Sequence, residues 1–232
     1  MHEISASSRR MLSARRRIVA RLRHGRYLRA RRVLDVAVVV AIAPLAAPLL
    51  AATAIAIRVV SPGPVFIRLR RSGFRGRELM MLKLRTMSAA HTTSSEPPAD
   101  EPGDAPLARW IRRHRLDELP QLWHVLTGEM ALIGPRPMPP SIARGMAAIM
   151  PEYAERLDLR PGVTGLAQVR LGYGDDVVGQ RHRLAYDLLY RDTVSPLVDL
   201  RILLATIRTM LFGAGEAWHC PHGPVERCDR RG

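Results

Sequence analysis

The sequence is poor in cysteine. Its two cysteines, Cys220 and Cys228, occur among 232 residues and both lie close to the C-terminus. They provide no disulfide framework, which fits a reducing compartment. The segment at 219–222, HCPH, has ligand-type side chains but no standard zinc spacing, so we expect 213–232 to be a variable tail. The chain also lacks a Walker loop and a Rossmann fingerprint, which are the common motifs for binding nucleotides. It has no metal-thiolate cluster either.

Acidic residues are scarce at the N-terminus. Residues 1–32 form a basic arm with one acid, Glu3, and the whole chain has a formal net charge of +15. Such a surplus indicates anionic partners: nucleic acid, an acidic membrane surface or phosphorylated substrates. The arm alone fits a nucleic-acid arm, an organellar transit peptide or a membrane-surface anchor. The segment that follows it favours the membrane.

Residues 36–57 contain no charge and read VAVVVAIAPLAAPLLAATAIAI. As a helix they would cover roughly 33 Å, enough for the ~30 Å hydrocarbon core of a bilayer. Pro44 and Pro48 each remove a backbone hydrogen bond from such a helix. Both flanks are basic, so a straight span would export one basic cluster against the positive-inside preference. We therefore predict a re-entrant, proline-broken membrane helix at 33–60, with an ordinary span as the alternative.

Residues 61–212 predict one α+β domain that is mostly helical and has a short β-element. Strands are expected at 65–67 and 79–84, on either side of a glycine turn. The polar, proline-rich stretch at 89–106 predicts a flexible loop. Helices are expected near 141–157, 179–192 and 196–212. The last helix has an apolar face that we expect to pack on the core, a membrane surface being the alternative; its members are Leu197, Leu200, Leu203, Leu204, Ile207 and Leu211.

The strongest chemical signal is a pair of adjacent carboxylates, Asp117 and Glu118, within the arginine-rich stretch 112–123, RRHRLDELPQLW. For an isolated pair, a solvated helix start would be the simpler interpretation. The arginines favour a phosphate-handling site, where a carboxylate attacks phosphorus or binds a divalent cation. Asp117 is expected to cap a helix whose positive N-terminus keeps this carboxylate ionised. Four apolar side chains of that helix are expected to be buried: Leu119, Leu122, Trp123 and Leu126.

Several arginines are candidates for binding phosphate, because the planar guanidinium matches phosphate oxygens bidentately. Arg136 lies between two prolines and Arg160 precedes Pro-Gly, so a purely solvated role suits them least. Arg112 lies beside the carboxylate pair. For any other single arginine, a solvated surface cation is the simpler interpretation.

Three further charged residues are candidates for the site. Lys83 and Arg85 alternate with apolar residues as on a half-buried strand, where edge protection and ligand binding have equal support. Asp187 is expected to pair with one of the arginines, and we include it among the candidate substrate-binding residues. His124 is expected to be a surface or core histidine of its helix rather than a base.

Taken in order, these motifs resemble the bacterial sugar transferases, the monotopic polyprenyl-phosphate phosphoglycosyl transferases, over roughly 31–212. The matching segments are RRVLD (31–35), SPGPVF (61–66), KLRTM (83–87), LDELPQLW (116–123), GEM (128–130), IGPRP (133–137), RPGVTGLAQV (160–169) and DL (199–200). The chain departs from the family pattern at Leu69, Leu84, Leu166 and 169–172. The last departure falls in a region we connect with the nucleotide-sugar, which leaves the identity of the sugar open.

The resemblance implies transfer of a sugar-1-phosphate from a UDP-sugar to polyprenyl (undecaprenyl) phosphate, with release of UMP. The phosphosugar would be held covalently by Asp117, with Glu118 as its dyad partner and Asp117 as the ligand of magnesium (Mg²⁺). The family's arginines map onto Arg112, Arg136 and Arg160. The resemblance places the catalytic domain on the cytoplasmic face of the bacterial inner membrane. It also implies the first step of exopolysaccharide, capsule, O-antigen or glycoprotein glycan synthesis.

The expected partners are therefore a UDP-sugar, polyprenyl phosphate and membrane lipids, with no nucleic acid. A homo-oligomer and the role of the arm stay open. The alternative function is a non-catalytic, membrane-anchored protein that binds anionic lipid or nucleic acid through its basic surface. That alternative does not require an Asp-Glu pair or arginines fixed between prolines.

Overall fold

A computed structural model describes residues 6–61, 63–86, 106–171 and 177–212, with only the backbone described at 6–26 and 177–178. Helices predominate, and the strands form two two-stranded sheets. This confirms the α+β, mostly helical fold class. The predicted loop at 89–106, apart from Pro106, and the tail at 213–232 lie outside the described residues, as do Met87 and the first five residues of the arm.

The first helix, α1 (Ala6–Val60), continues through Pro44 and Pro48. Its segment Tyr27–Val60 is long and apolar enough to cross a membrane, and most of that segment is not covered by protein. Large apolar side chains such as Leu45 and Val59 are exposed along it. Residues 6–32 of the arm and the apolar segment therefore form one helix. The re-entrant course of this helix stays a prediction.

Two antiparallel strands, β1 (Phe66–Ser72) and β2 (Glu78–Leu84), form a hairpin in register from Phe66 opposite Leu84 to Ser72 opposite Glu78. The connecting turn includes Gly76 at φ 74°, a conformation that glycine adopts without strain. The predicted hairpin is confirmed, although β1 continues beyond the expected residue 67 because its pairing with β2 extends to the turn.

The carboxylate pair lies between two short helices, α2 (Pro106–Arg113) and α3 (Gln121–Thr127). It occupies a 3₁₀ turn, Leu116–Glu118. Arg115, the residue before this turn, has a left-handed backbone conformation with φ 54°. The prediction that Asp117 caps a helix is therefore wrong. Helix α3 begins only at Gln121, and its N-cap position is occupied by Pro120, whose side chain has no hydrogen-bond acceptor.

The side chains of α3 also differ from the prediction. Its buried residues are Gln121, His124 and Val125, whereas Trp123 and Leu126 are exposed. Because the helix starts later and follows a 3₁₀ turn, the face that meets the core is shifted from the expected one.

A second sheet joins two strands that are distant in sequence. Strands β3 (Ala131–Ile133) and β4 (Gly162–Thr164) are parallel. Their backbones are so close that a Cβ atom on Gly162 would lie 2.0 Å from the nitrogen of Gly134. The connection contains α4 (Pro140–Ile149) and a 3₁₀ helix (Pro151–Asp158), so the single helix expected at 141–157 is interrupted at Pro151.

The chain ends its described part with α5 (Leu166–Arg170), α6 (Val177–Thr193) and α7 (Pro196–Phe212). The main core is formed by apolar side chains from α1, the hairpin, α3, β3, α6 and α7. Its buried members are Val39, Leu79, Met81, Val125, Met130, Leu132, Ile133, Leu159, Tyr190, Val194 and Ile202.

Helix α7 meets this core through a different face from the one expected. Asp199 and Ile202 are its buried residues, and Leu203 is partly buried. The expectation that the apolar face packs on the core is wrong for five of its side chains, which are exposed: Leu197, Leu200, Leu204, Ile207 and Leu211.

Candidate active site

Asp117 and Glu118 are almost fully buried, with 2% and 3% of their surfaces exposed. The Lys83 ammonium lies 2.9 Å from Asp117 Oδ2 and 3.9 Å from Glu118 Oε1. Lys83 is itself buried and comes from β2, so pairing of the hairpin carries this cation to the carboxylates. Of the two interpretations of Lys83 left open by the sequence, its position favours a part in the site over protection of a sheet edge.

Glu118 is held by guanidinium groups. Arg136 Nη2 donates to Glu118 Oε1 at 2.8 Å, and Arg115 Nη1 lies 3.6 Å from Oε2. The two neighbouring carboxylates therefore share the Lys83 ammonium, and Glu118 in addition contacts the guanidinium groups of Arg136 and Arg115. A charge-assisted hydrogen bond to a buried arginine fixes the geometry of Glu118 strongly.

Arg112 and Arg85 tie the end of β2 to its neighbours. Arg112 Nη1 donates to the carbonyl oxygen of Thr86 at 2.7 Å, which joins α2 to β2. Arg85 Nη2 donates to the carbonyl oxygen of Ser61 at 2.7 Å, which joins β2 to the turn after α1. Both arginines are buried. Their binding of phosphate stays a prediction.

The main chain of Arg136 is held by the side chain of Arg156, a residue that the sequence analysis did not predict. Arg156 Nη2 donates to the carbonyl oxygen of Arg136 at 2.9 Å and lies 2.6 Å from Asp187 Oδ2. The expected ion pair of Asp187 is thus confirmed, with Arg156 as its partner. Burial raises the pKa of Asp187 even though Arg156 favours its ionised form. No local pattern marks Arg156, since it lies in an irregular 3₁₀ segment.

Arg160 has a different environment from the other predicted arginines. It is exposed, and its guanidinium lies 5.5 Å from the ring centroid of Phe74. The backbone beside it contacts the site more directly, because the N–H of Gly162 donates to the carbonyl oxygen of Pro135 at 3.0 Å. The two proline-arginine motifs are therefore joined through their main chains, and a phosphate-binding role for Arg160 stays a prediction.

His124 is a buried histidine that fastens α3 to β2. Its Nε2 accepts the N–H of Leu82 at 3.1 Å, and its Nδ1 lies 2.6 Å from Glu129 Oε2. Because Nε2 accepts, the proton of the neutral ring is on Nδ1 and is donated to Glu129. This hydrogen bond lowers the pKa of Glu129. The histidine thus fixes the backbone of Leu82, the residue before Lys83. This is the structural role expected of a core histidine and not that of a catalytic base.

The site has more buried positive than negative charge. Its buried carboxylates are Asp117, Glu118 and Asp187, and its buried cations are Lys83, Arg85, Arg112, Arg136 and Arg156. Guanidinium and ammonium groups gathered around a carboxylate pair are suited to contact an anionic ligand. Phosphate groups are the anions that arginine-rich sites fit best.

Magnesium binding at the carboxylate pair stays a prediction. Within the described ranges, no group of three or more His, Cys, Asp or Glu side chains could hold a metal ion. Magnesium in phosphate-handling enzymes is usually held by one or two carboxylates together with substrate phosphates. The Asp117-Glu118 pair supplies such carboxylates, and Asp117 would be the ligand.

A buried carboxylate pair within a cationic surplus, beside a long apolar helix, defines a phosphate-handling enzyme associated with a membrane. Comparison with known proteins gives the family. The sequence pattern of the family described as bacterial sugar transferase matches residues 26–213. The chain belongs to this family, and it is therefore an enzyme of the transferase class.

Three relatives illustrate the range of named activities. A UDP-glucose:undecaprenyl-phosphate glucose-1-phosphate transferase of Caulobacter vibrioides is 42% identical over 185 residues, covering 78% of this chain and 69% of the relative. A UDP-N-acetylgalactosamine-undecaprenyl-phosphate N-acetylgalactosaminephosphotransferase of Aeromonas hydrophila is 37% identical, covering 80% and 44%. An undecaprenyl-phosphate glucose phosphotransferase of Komagataeibacter xylinus is 38% identical, covering 72% and 33%. The chain therefore spans less than half of the latter two proteins.

Proposed function

We propose that this protein transfers a sugar-1-phosphate from a UDP-sugar to undecaprenyl phosphate and releases UMP, as the first step of a surface glycan. The observation that carries the proposal is the buried Asp117 beside Lys83, with its neighbour Glu118 held by Arg136. The activities after which the relatives are named, with glucose or N-acetylgalactosamine donors, support the reaction class and leave the sugar open.

The chemistry proceeds in two displacements at one phosphorus. A carboxylate oxygen of Asp117 attacks the phosphorus that bears the sugar, and the bond from that phosphorus to the bridging oxygen breaks. UMP leaves with the electron pair, and a phosphosugar stays on Asp117 as an acyl phosphate. An oxygen of undecaprenyl phosphate then attacks the same phosphorus. The bond to Asp117 breaks, which frees the carboxylate and yields the lipid-linked diphosphosugar.

The surrounding cations make attack by an anion on an anion feasible. Lys83 offsets the charge of Asp117, and the guanidinium groups of Arg112 and Arg136 offer bidentate contacts to the diphosphate. Glu118 orients Arg136 through their hydrogen bond. Mg²⁺, which we propose is held by Asp117 and the diphosphate oxygens, would supply further neutralisation of phosphate charge when bound.

We further propose that α1 is re-entrant and that the catalytic domain faces the cytoplasm. Contacts at both ends of the apolar segment support this. Before it, Arg31 Nη2 donates to the carbonyl oxygen of Ile133 at 3.1 Å. At its last residue, Ile57 packs with Leu84 and Ile111 of the same domain. A straight span would separate these contacts by the ~30 Å hydrocarbon core.

Cysteine labelling tests this topology. Single cysteines at Ala20 and Arg70, in a chain with Cys220 and Cys228 changed to serine, should both react with a membrane-impermeant reagent applied from the cytoplasmic side. Labelling of either position from the periplasmic side would contradict the re-entrant course.

The reaction is tested with Asp117→Asn in the full chain reconstituted with undecaprenyl phosphate, Mg²⁺ and a panel of UDP-sugars. The wild type should release UMP from at least one donor, and the variant should lose about 10³-fold or more of this rate. Asp158→Asn, at an exposed carboxylate, is the matched control and should retain activity. Intact mass after incubation with the donor alone should show a phosphosugar adduct on the wild type only.

The outcomes separate the two candidate functions. Undiminished UMP release by Asp117→Asn would refute the covalent mechanism. A wild type that releases no UMP from any donor, yet binds anionic vesicles, would favour the non-catalytic lipid-binding protein.

A further inference from the structure

The turn of the β1–β2 hairpin carries an aromatic ring that two arginines share. The guanidinium of Arg75 lies 5.1 Å from the ring centroid of Phe74, and the guanidinium of Arg160 lies 5.5 Å from the same centroid. Both distances are within the range of a cation–π contact. The ring is partly buried, whereas both arginines are exposed. We call these three residues the turn platform.

The turn platform gathers positive charge that faces no carboxylate. Among the described residues, no ion pair joins Arg75 or Arg160 to an acidic side chain. Two like charges held at one ring attract an anion, and the planar guanidinium matches phosphate oxygens. A ligand that combines a phosphate with a flat ring would therefore use both the charge and the aromatic surface of the platform.

Arg75 has a backbone conformation that arginine seldom adopts. Its φ of 54° and ψ of 33° lie in the left-handed region, where a side chain is strained. The next residue, Gly76, has φ 74° without such a cost. A glycine at position 75 would stabilise the turn, so the arginine lowers its stability. Strain of this kind clusters at functional sites, which points to a role for the Arg75 side chain.

A cavity lies between the turn platform and the candidate active site. Its lining includes Gly73, Arg136 and Pro161. Gly73 directly precedes Phe74 in the chain. Pro161 directly follows Arg160, so the platform lies at the edge of the cavity. Because Arg136 also holds the carboxylate pair through its hydrogen bond, a ligand bound there can extend to the platform.

The place of the platform along the hairpin distinguishes the two substrates. Lys83, which contacts Asp117, is followed by Leu84, and Leu84 packs with Ile57 at the end of the apolar segment. The turn is at the opposite end of β2, because the strand runs about 17 Å from Lys83 back to Glu78. A lipid phosphate reaches the site from the bilayer end. The platform is therefore on the side of the water-soluble donor.

The geometry of displacement also places the nucleotide beyond the reacting phosphorus. When Asp117 attacks that phosphorus, the leaving oxygen of UMP lies roughly in line on the opposite side. UMP offers a flat base and a phosphate. Nucleotide bases stack on aromatic rings and on guanidinium planes, and the remaining arginine can contact the phosphate.

We propose that the turn platform binds the UMP half of the UDP-sugar, with the uracil stacked against Phe74 and Arg75 and the phosphate contacted by Arg160. The inference rests on the proposed function, since it takes a UDP-sugar as the donor, but not on the covalent mechanism. It adds Phe74 and Arg75 to the residues that recognise the donor and leaves the sugar open.

The test measures binding of UMP to the full chain in detergent by isothermal titration calorimetry, without turnover. Arg75→Gly removes the guanidinium and relieves the strain, so it should melt at or above the wild-type Tm and yet bind UMP about tenfold more weakly. Phe74→Leu should weaken UMP binding by about the same factor, whereas Phe74→Tyr keeps the ring and should bind UMP like the wild type. Arg144→Gln, which removes an exposed guanidinium from α4, is the matched control and should leave UMP binding unchanged.

Steady-state kinetics show which substrate the platform contacts. With a UDP-sugar that the wild type accepts, Arg75→Gly should raise the KM for this donor about tenfold and leave kcat and the KM for undecaprenyl phosphate near their wild-type values. A rise in the KM for undecaprenyl phosphate alone would place the lipid phosphate on the platform and overturn the inference.

Failure of the inference differs from failure of the proposed function. If Arg75→Gly and Phe74→Leu bind UMP as tightly as the wild type, the platform is not the UMP site, and the proposed reaction stands. If the wild type binds no UMP, the UDP-sugar reaction is refuted and the inference with it. Weaker UMP binding by both variants, together with undiminished UMP release by Asp117→Asn, would support the platform and refute only the covalent mechanism.

Discussion

Replacing Asp187 with asparagine tests whether this carboxylate positions Arg136 through Arg156 or contacts the substrate itself. Asp187 and Arg156 form a buried ion pair at 2.6 Å, and Arg156 also donates to the carbonyl oxygen of Arg136. Asparagine keeps the size of the side chain but leaves the guanidinium without a countercharge. The variant should therefore be less stable, and Arg136 should lose its fixed position opposite Glu118.

The magnitude follows from the burial of the pair. Removal of one partner from a buried ion pair costs about 3–5 kcal/mol, and we take the lower end because asparagine keeps the size and polarity of the side chain. For a chain of this length, each 1 kcal/mol lowers Tm by about 2–4 °C. We therefore expect Asp187→Asn to melt roughly 6–12 °C below the wild type. Asp192→Asn, on the exposed side of the same helix, should change stability by less than about 1 kcal/mol.

Thermal unfolding of the full chain in detergent gives the stability, and UMP release gives kcat and KM. A double variant, Asp187→Leu with Arg156→Met, should recover much of the lost stability because it removes both charges. Its kcat should stay low, since the carbonyl oxygen of Arg136 no longer has its donor. If Asp187→Asn melts like the wild type and only its KM for the UDP-sugar rises, Asp187 contacts substrate and the proposed support is wrong.

Three further changes test other contacts. Gln180 is 2% exposed and both polar atoms of its amide lack a hydrogen-bond partner in the described structure, so Gln180→Met should raise stability by about 1 kcal/mol in thermal melts; a loss would contradict this. The pKa of Glu129 lies below its ordinary value of 4.5, chiefly through its hydrogen bond with His124. The ionised Glu129 carboxylate therefore stabilises the folded protein above pH 4.5, and this contribution is lost as the pH falls through the lowered pKa. The difference in Tm between the wild type and Glu129→Gln should thus correspond to about 0.5–1 kcal/mol of unfolding free energy at neutral pH and should disappear below about pH 4. A difference in Tm that is the same at both pH values would refute this role of the Glu129–His124 hydrogen bond. Gly162→Ala should destabilise by about 3 kcal/mol through a clash across the β3–β4 pair, whereas Gly145→Ala, with open space around it, should not, and equal melting of both variants would contradict the close approach.

The elements that the sequence predicts well are those with local signals. The hairpin follows from alternating side chains on both sides of a glycine turn, and α6 and α7 follow from helical periodicity bounded by Pro196 and by polar residues. The Asp117-Glu118 pair and Lys83 were also found from local pattern. Their closeness in space depends on pairing of β1 with β2, which the hairpin signal already implied.

The features that were missed depend on contacts between distant segments. Strands β3 and β4 have three residues each, too short for a periodic signal, and their parallel pairing joins residues 31 positions apart. Arg156 acquires its role only because this pairing and α6 bring Asp187 and Arg136 to it. The apolar face of α7 was recognised, but periodicity reports one apolar side of a helix and does not say whether protein or lipid covers it.

The misassigned helix start explains how two adjacent carboxylates acquire different environments. Successive side chains in a 3₁₀ turn are about 120° apart, so Asp117 and Glu118 point to different elements. Lys83 from β2 lies 2.9 Å from Asp117 Oδ2 and 3.9 Å from Glu118 Oε1, whereas the rigid guanidinium of Arg136, which follows β3, hydrogen-bonds Glu118. A helix cap would have directed Asp117 to backbone N–H groups and not to the Lys83 ammonium. The 3₁₀ turn therefore brings Asp117, the proposed nucleophile, to the strand that carries Lys83, and it leaves Glu118 to hold Arg136, which we propose binds phosphate.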